Sequence, residues 1–241
     1  MIKLGLYSSI ANPPRGDDMD RCVQETLAEA EIAEACGFHG FFFGEHHQDQ
    51  DGFLPSPLVV CSAVAARTKK IQIGTSVLLL PLHHPLPIAE DVATLEAVSG
   101  GRVALGVGIG CQDADLRAMG IEKKHRVGRF EEAIEILRKA WTGEPFTHKG
   151  HHFDIENVRV TPKPIQHPNP PIWIGAWVLA ALERAGRLGD AVVMSPSWPL
   201  SESAAAAETY RKAALVAGNE PEIVMMRDAW VADSLEDGAR I

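Results

Sequence analysis

The chain has 241 residues, of which 46% are hydrophobic and 23% charged, enough to bury a core of ordinary size. Its formal net charge of -9 at pH 7 and the lack of any Lys/Arg-rich run argue against nucleic acid as a partner. The sequence has no apolar stretch of membrane-spanning length and no signal-peptide core, so we expect a cytoplasmic protein with no membrane partner.

Strand-like apolar segments alternate with amphipathic segments along the whole chain. Strands are predicted at 3–8, 38–44, 71–78, 102–108, 170–175, 190–194 and 222–232. Helices are predicted at 19–36, 56–69, 88–99, 130–141, 179–188 and 202–217. This alternation predicts parallel strands joined by helical crossovers, and the length suits one α/β domain of the TIM (β/α)8-barrel type over residues 1–241.

Two features modify the simple barrel. Residues 145–171 contain alternating segments interrupted by glycine, which predicts an excursion with a hairpin. The seven predicted strands are one short of a closed barrel, and residues 235–241 resemble the opening turn of another helix. We therefore expect a barrel truncated before its last strand and helix, with its carboxyl-terminal part missing.

No motif for metal binding is present. The pairs His83-His84 and His151-His152 lack the spacing of a His-Glu-x-x-His zinc site, so no metal site is expected. His84 is expected to order the loop before Pro85. The cysteines, at positions 22, 36, 61 and 111, form no Cys-x-x-Cys pair and are expected to be reduced and mainly structural.

In a barrel, functional residues lie at the carboxyl ends of the strands. The predicted ends are 8–9, 45–47, 76–77, 108–110, 175–177 and 195–196. The strongest signal is the apolar run 41–43, which ends in Glu45-His46-His47. Histidine is well suited to proton transfer near neutral pH, so this cluster predicts a catalytic site. The alternative is a salt bridge that closes the barrel rim.

A series of motifs in fixed order makes the chain similar to a known family. The series is Gly37-Phe38, Phe43-Gly44-Glu45-His46-His47, Ile73-Gly74-Thr75-Ser76, Leu80-Pro81, His84-Pro85, Ala89-Glu90-Asp91 and Gly100-Gly101-Arg102. In order and spacing it resembles bacterial luciferase and its flavin-dependent monooxygenase relatives, from residue 1 through about residue 233.

The resemblance implies a specific chemistry. It implies that His46 is catalytic and lies beside the ring of reduced FMN, and that O2 is used to oxygenate a small or medium organic substrate. It also implies a separate flavin reductase and a homodimer, and a non-prolyl cis peptide at Ser76-Val77, for which an ordinary trans strand end is the alternative. The implied cofactor-binding residues are Glu45, Ser76, Val77, Gly108, Ile109, Arg129, Gly175, Ala176, Trp177 and Ser195.

Two departures concern the flavin phosphate. Bacterial luciferase has arginine where this chain has Ile109, and a serine-bearing loop where this chain has residues 177–181. Backbone amides at the start of the 179–188 helix could still hold a phosphate. Arg129, together with Arg126, matches a phosphate-side arginine of the family or is a solvated helix charge. The glycines of 106–110 either admit the cofactor or serve packing and turns.

Two other functions remain open. A deazaflavin-dependent dehydrogenase is the first, because relatives of this barrel use that cofactor for hydride transfer; the Glu-His-His pattern favours FMN. The second is a non-catalytic luciferase-like subunit, which the altered phosphate loop favours and the retained Glu45-His46 opposes.

Overall fold

The computed structural model describes residues 2–229, 231–234 and 236. Its strands are β1 (Gly5–Ser8), β2 (Gly40–Phe43), β3 (Gln72–Leu79), β4 (Val103–Gly108), β5 (Phe146–Lys149), β6 (Asp154–Val158), β7 (Ile172–Ala176), β8 (Ala191–Met194) and β9 (Glu222–Met225). Its α-helices are α1 (Met19–Ala35), α2 (Pro57–Arg67), α3 (Pro85–Ser99), α4 (Asp113–Ala118), α5 (Arg126–Ala140), α6 (Leu179–Leu188) and α7 (Leu200–Val216). Short 3-10 turns occur at Leu80–Leu82 and Lys123–His125.

Seven strands form one parallel sheet in the order β1-β2-β3-β4-β7-β8-β9. Strands β5 and β6 form a separate antiparallel hairpin, as predicted for residues 145–171. The parallel sheet with helical crossovers confirms the predicted barrel-type α/β class, with β1 and β9 at the two edges of the sheet. Among the described residues, no helix combines the length and apolarity needed to cross a membrane.

Burial on both faces explains the uninterrupted apolar strands. Every residue of β2, β4 and β8 is buried, as expected for a parallel sheet with helices packed on it. The predicted apolar stripe of α5 is also buried, and Trp141 at its end is 1% exposed. The Trp141 indole donates a hydrogen bond to the Ala89 carbonyl over 3.1 Å, so its one polar group is satisfied inside the core.

Most predicted boundaries are displaced by one to four residues, and three differences concern the start of α3, the presence of α4 and the end of β9. Helix α3 begins at Pro85 instead of residue 88, because proline is tolerated in the first helical turn. The six-residue helix α4 was not predicted, since so short a segment gives little periodicity. Strand β9 ends at Met225, not at 232, and Arg227, two residues later, donates to the Ser195 carbonyl after β8. Residue 230 and most of the turn predicted at 235–241 lie outside the described residues.

At the amino ends of the strands, one arginine joins several elements. Arg102 precedes β4, and its guanidinium donates to the carbonyls of Ala65, Thr68, Ile71 and Ser99 over 2.7–3.1 Å. These carbonyls belong to the last turn of α2, to the α2–β3 connection and to the end of α3. Arg102 therefore connects these elements at the amino ends of the strands, opposite the carboxyl ends where the functional site is expected.

Replacing Arg102 by Met is expected to lower the free energy of unfolding by about 2–5 kcal/mol, since several buried carbonyls lose a charged donor together. Urea denaturation measures this loss. Arg67→Met is the matched control, because Arg67 is exposed and donates to a single side chain, that of Gln24; its change should stay within about 0.5 kcal/mol. Equal losses in the two variants would show that the Arg102 network contributes little.

Candidate active site at the carboxyl ends of the strands

Parallel pairing brings the carboxyl ends of the seven strands to one edge of the sheet. Glu45 and His46 follow β2, Ser76 and Val77 lie within β3, and Gly108 ends β4. Farther along the same edge, Ala176 ends β7 and Ser195 follows β8. The sheet therefore groups nearly all of the predicted site residues along one edge.

The Ser76–Val77 segment is the irregular part of β3. Its peptide bond is cis, which confirms what the resemblance implies, and the register with β4 shifts between Thr75 and Leu78. The Val77 side chain packs against two glycines, Gly108 and Gly175. A Cβ atom added to Gly108 would lie 2.6 Å from Val77 Cγ2, and one added to Gly175 would lie 3.2 Å from Val77 Cγ1. The two glycines thus make room for Val77.

Gly106 has a different role. A Cβ atom there would lie 2.0 Å from the Thr75 carbonyl oxygen, so the close approach of β3 and β4 requires glycine. Packing therefore explains this glycine. At Gly110, in contrast, a Cβ atom would meet nothing within 4 Å, and the loop after β4 borders open space.

Glu45 is the buried centre of a three-way hydrogen-bond cluster. One carboxylate oxygen, Oε1, lies 2.8 Å from His47 Nε2 and 2.7 Å from His83 Nε2. The other, Oε2, accepts the Leu79 N–H. Burial alone would raise the pKa of the Glu45 carboxyl, but the hydrogen bonds and charge of His83, with the Leu79 and His47 bonds, outweigh burial and lower the pKa below its usual value.

The Glu45 side chain has no exposed surface, whereas the side chains of His47 and His83 are 13% and 29% exposed. With both oxygens bonded inside the protein, the carboxylate does not face the strand-end surface. In this arrangement Glu45 positions the two imidazoles and the start of the Leu80 turn; its contact with a cofactor stays a prediction.

His46 is the partly exposed member of the Glu-His-His segment, with 33% of its side chain accessible. Its Nδ1 atom lies 2.9 Å from Gln112 Nε2, and its ring meets the Phe53 ring edge-on at 4.6 Å. Asp49 lies 3.9 Å from the same Nδ1 atom. When the Gln112 amide donates to Nδ1, the neutral imidazole carries its proton on Nε2. The contact with Gln112 and the packing against Phe53 hold the ring in one orientation.

Two groups predicted to bind the flavin phosphate are Arg129 and the first turn of α6. Arg129 is half-buried, donates from Nε to the Pro81 carbonyl over 3.1 Å, and lies 4.7 Å above the Phe153 ring. It is therefore not a solvated helix charge. At the start of α6, Val178 supplies no capping side chain, and the consecutive residues Trp177, Val178 and Leu179 are about 60% exposed. Any phosphate held there would contact backbone N–H groups.

The remaining predicted residues are less accessible. Ala176 is fully buried and Ser195 is 3% exposed, while Ile109 is partly buried and packs against the core. Two cavities of about 400 and 550 Å³ lie elsewhere, one beside α4 and one between α5 and α6. Neither of these cavities is lined by His46.

Sequence reasoning missed two partners in this site. Gln112 gave no signal, because its role depends on a contact with His46 across 66 positions of sequence. His83 had a signal, since it follows the third strand in a His-His-Pro loop. Its neighbour His84 does order that loop as expected: its Nδ1 accepts the Leu86 N–H at the start of α3.

Comparison with known proteins identifies the class of protein to which this fold belongs. Residues 2–239 match the model of the luciferase-like monooxygenase family, and the chain belongs to that family. Its structure is similar to the monooxygenase RslO1 from Streptomyces bottropensis, with a TM-score of 0.90, 28% identity, and coverage of 99% of this chain and 74% of that one.

The names of two relatives of assigned function state different cofactors. The oxygenase component of the flavin-dependent trigonelline monooxygenase of Acinetobacter baylyi is 28% identical over 218 residues, covering 88% of this chain and 60% of that protein. An F420-dependent glucose-6-phosphate dehydrogenase of Nakamurella multipartita is 35% identical over 170 residues, covering 68% and 50%. The chain spans about half the length of most of the curated relatives it matches.

Proposed function

We propose that this chain carries the catalytic site of a flavin-dependent monooxygenase that uses reduced FMN and O2 to oxygenate a small or medium organic molecule. The proposal rests mainly on the position of the His46 imidazole. It is a partly exposed imidazole at the carboxyl end of β2, oriented by Gln112, beside the strand that contains the Ser76–Val77 cis peptide. Family membership supports an oxidoreductase, and the relative from Acinetobacter baylyi supports oxygen chemistry.

The strand ends suit a flat, largely apolar ring. Glycine backbone borders open space at Gly110, and residues 177–179 present exposed apolar surface. Together with Ser76, Val77, Gly108, Ile109, Gly175 and Ser195, these residues would surround the isoalloxazine ring. The first turn of α6 would bind the phosphate through backbone N–H groups and the positive end of the helix dipole.

Bound reduced flavin supplies the electrons that activate O2. The contribution of the chain is orientation and proton control. With Nδ1 accepting from Gln112, His46 would carry a proton on Nε2 and could deliver it to a developing oxyanion. Glu45 holds the imidazole of His47, and that of His83 in the loop after β3, in fixed positions through hydrogen bonds. The exposed apolar segment 177–179 would cover the ring and exclude water.

A deazaflavin-dependent dehydrogenase is the second candidate, and the similarity to the Nakamurella multipartita enzyme favours it. Both reactions would use the same strand ends. In the dehydrogenase, His46 would act on the alcohol proton of a substrate while hydride moves to the cofactor. The cofactor therefore separates the two functions, and a chain that binds neither cofactor would be the non-catalytic subunit.

Separate titrations of the purified chain with FMN and with the deazaflavin F420, followed by absorbance and fluorescence, test the proposal. We expect saturable FMN binding. We also expect the rate at which reduced FMN is reoxidised in oxygenated buffer to change with protein concentration and to reach a plateau. Saturable binding of F420 with no binding of FMN would overturn the monooxygenase proposal in favour of the dehydrogenase. Free flavin measured in parallel provides the uncatalysed rate.

The wider assembly is part of the same proposal. The name of the Acinetobacter baylyi protein, an oxygenase component, supports a separate flavin reductase that supplies reduced FMN. We further propose that residues 1–241 form one barrel domain and that the protein is a cytoplasmic homodimer, as the resemblance to the family implies. Sedimentation of the chain with and without a reductase tests both associations.

A further inference from the structure

Three imidazoles from separate parts of the chain meet beside the amino end of α5. His125 is the last residue of the turn that precedes this helix, and His151 and His152 lie between β5 and β6. One ring nitrogen of each lies within 4.8 Å of the other two. The ring centroids are 4.8 Å apart for His151–His152, 5.2 Å for His125–His152 and 6.2 Å for His125–His151.

The backbone that carries these rings is fixed by one carboxylate. Glu132, in the second turn of α5, accepts the backbone N–H groups of His151, His152 and Phe153 over 2.9–3.2 Å. This bonding ties the hairpin turn to the helix that follows His125. The three histidines therefore have a defined relative position, although 26 residues separate His125 from His151 in sequence.

Gly128 gives the His152 ring its place against the helix. A Cβ atom at Gly128 would lie 2.4 Å from His152 Nε2, so a larger residue there would displace the ring. The contact therefore fixes where the His152 ring lies relative to the first turn of α5.

The arrangement fits the ligand chemistry of zinc. Imidazole nitrogens bind Zn²⁺ at about 2.0–2.1 Å in tetrahedral geometry, which places ligand atoms roughly 3.3 Å apart. The present separation must therefore shrink by up to about 1.5 Å, and side-chain rotation of the exposed His151 can supply much of it. The carboxylate of Glu132 bonds to the backbone of the turn, and that of Glu122 lies 3.7 Å from His125 Nε2. Glu132 also opposes the charge of Arg129.

We propose that His125, His151 and His152 bind one zinc-class divalent metal ion, which links the β5–β6 turn to the start of α5. Three protein ligands leave the fourth position to water. The site is separate from the Glu45-His46 cluster. It joins elements next to Arg129 and Phe153, at the side of the strand-end edge, and its occupation does not depend on the proposed flavin chemistry.

The test is a zinc titration of the tag-free chain after removal of metal with a chelator, using a chromogenic zinc indicator as the competitor. We expect one zinc ion per chain at micromolar or lower concentration. His125→Ala, His151→Ala and His152→Ala should each weaken binding by at least about tenfold. His167→Ala is the matched control, because His167 is an exposed histidine outside the cluster, and it should bind zinc like the unmodified chain.

Two further readouts make the result unambiguous. Cobalt, as a spectroscopic substitute for zinc, should give a visible absorption band that is lost in His151→Ala. Zinc should raise the midpoint temperature of thermal unfolding of the unmodified chain but not that of His151→Ala. Circular dichroism confirms that the variants are folded. Zinc binding that is equal in His151→Ala and the unmodified chain, or that is lost in His46→Ala instead, would overturn the proposal.

Discussion

Replacing His46 by Ala is expected to lower the rate of oxygenation about 100-fold or more while FMN binding changes by only a few-fold. The size follows from the usual contribution of a positioned general acid or base. The His46 ring is partly exposed and meets Phe53 at its edge, so its removal should not disturb the buried core. Steady-state turnover of a carbonyl substrate selected from a panel, with reduced FMN and O2, measures the rate, and an FMN titration measures binding.

The partner of His46 gives a second, smaller effect. Gln112→Ala keeps the imidazole but removes the group that holds Nδ1, so we expect a partial loss of rate and a displaced pH–rate profile. Gln50→Ala is the control, because Gln50 is an exposed residue of the loop after β2. Full turnover by His46→Ala would show that this histidine does not take part in the reaction.

Replacing Glu45 by Gln is expected to lower the free energy of unfolding at pH 7 by about 2–4 kcal/mol. The carboxylate is buried and accepts three hydrogen bonds, from His47, His83 and the Leu79 N–H. A neutral amide has one acceptor oxygen and an NH2 group that must face a donor or an imidazole, so at least one buried group loses its partner. Because the loop after β3 depends on this cluster, turnover should fall as well.

The same variant should be less sensitive to acid. The folded-state pKa of Glu45 lies below its usual value of 4.5. The carboxylate therefore stabilises the fold fully above the unfolded-state pKa, and this stabilisation is lost as the pH falls through the lower, folded-state pKa. Urea denaturation between pH 7 and pH 3.5 should show a steeper loss of stability in the unmodified chain than in Glu45→Gln.

Glu25→Gln serves as the control for both measurements. Glu25 is exposed and, among the residues that the structure describes, forms its ion pair with Arg21 on the surface of α1, where such a pair contributes little. Its variant should match the unmodified chain in stability at pH 7 and in acid sensitivity. An unchanged stability of Glu45→Gln at pH 7, with the same dependence on acid, would contradict the account of the buried cluster.

Local sequence patterns predicted most of the architecture, because apolar strands and amphipathic helices leave periodic signals. The hairpin was predicted from the alternation around Gly150, and the stripe of α5 from residues at helical spacing. Failures occurred where local signals are weak. Helix α4 is only six residues long, and β9 ends early, two residues before Arg227 bonds to the chain after β8, a contact that no local pattern contains.

The sequence suggests where a candidate site lies, but it does not give the contacts within it. His46 could be located because it follows a buried strand, and strand ends carry function in this fold. The sequence could not tell that Glu45 is buried while the adjacent His46 is exposed, since side-chain direction in a loop depends on tertiary packing. The contacts with Gln112 and His83, and the meeting of His125 with His151, likewise depend on the folded chain.

A crystal structure of the chain with FMN would show directly where the flavin binds. We expect the isoalloxazine ring at the carboxyl ends of the strands, in contact with the Ser76–Val77 peptide, with the His46 imidazole facing the ring. A flavin bound on the outer helices, or a His46 side chain directed away from the bound ring, would contradict the proposed site.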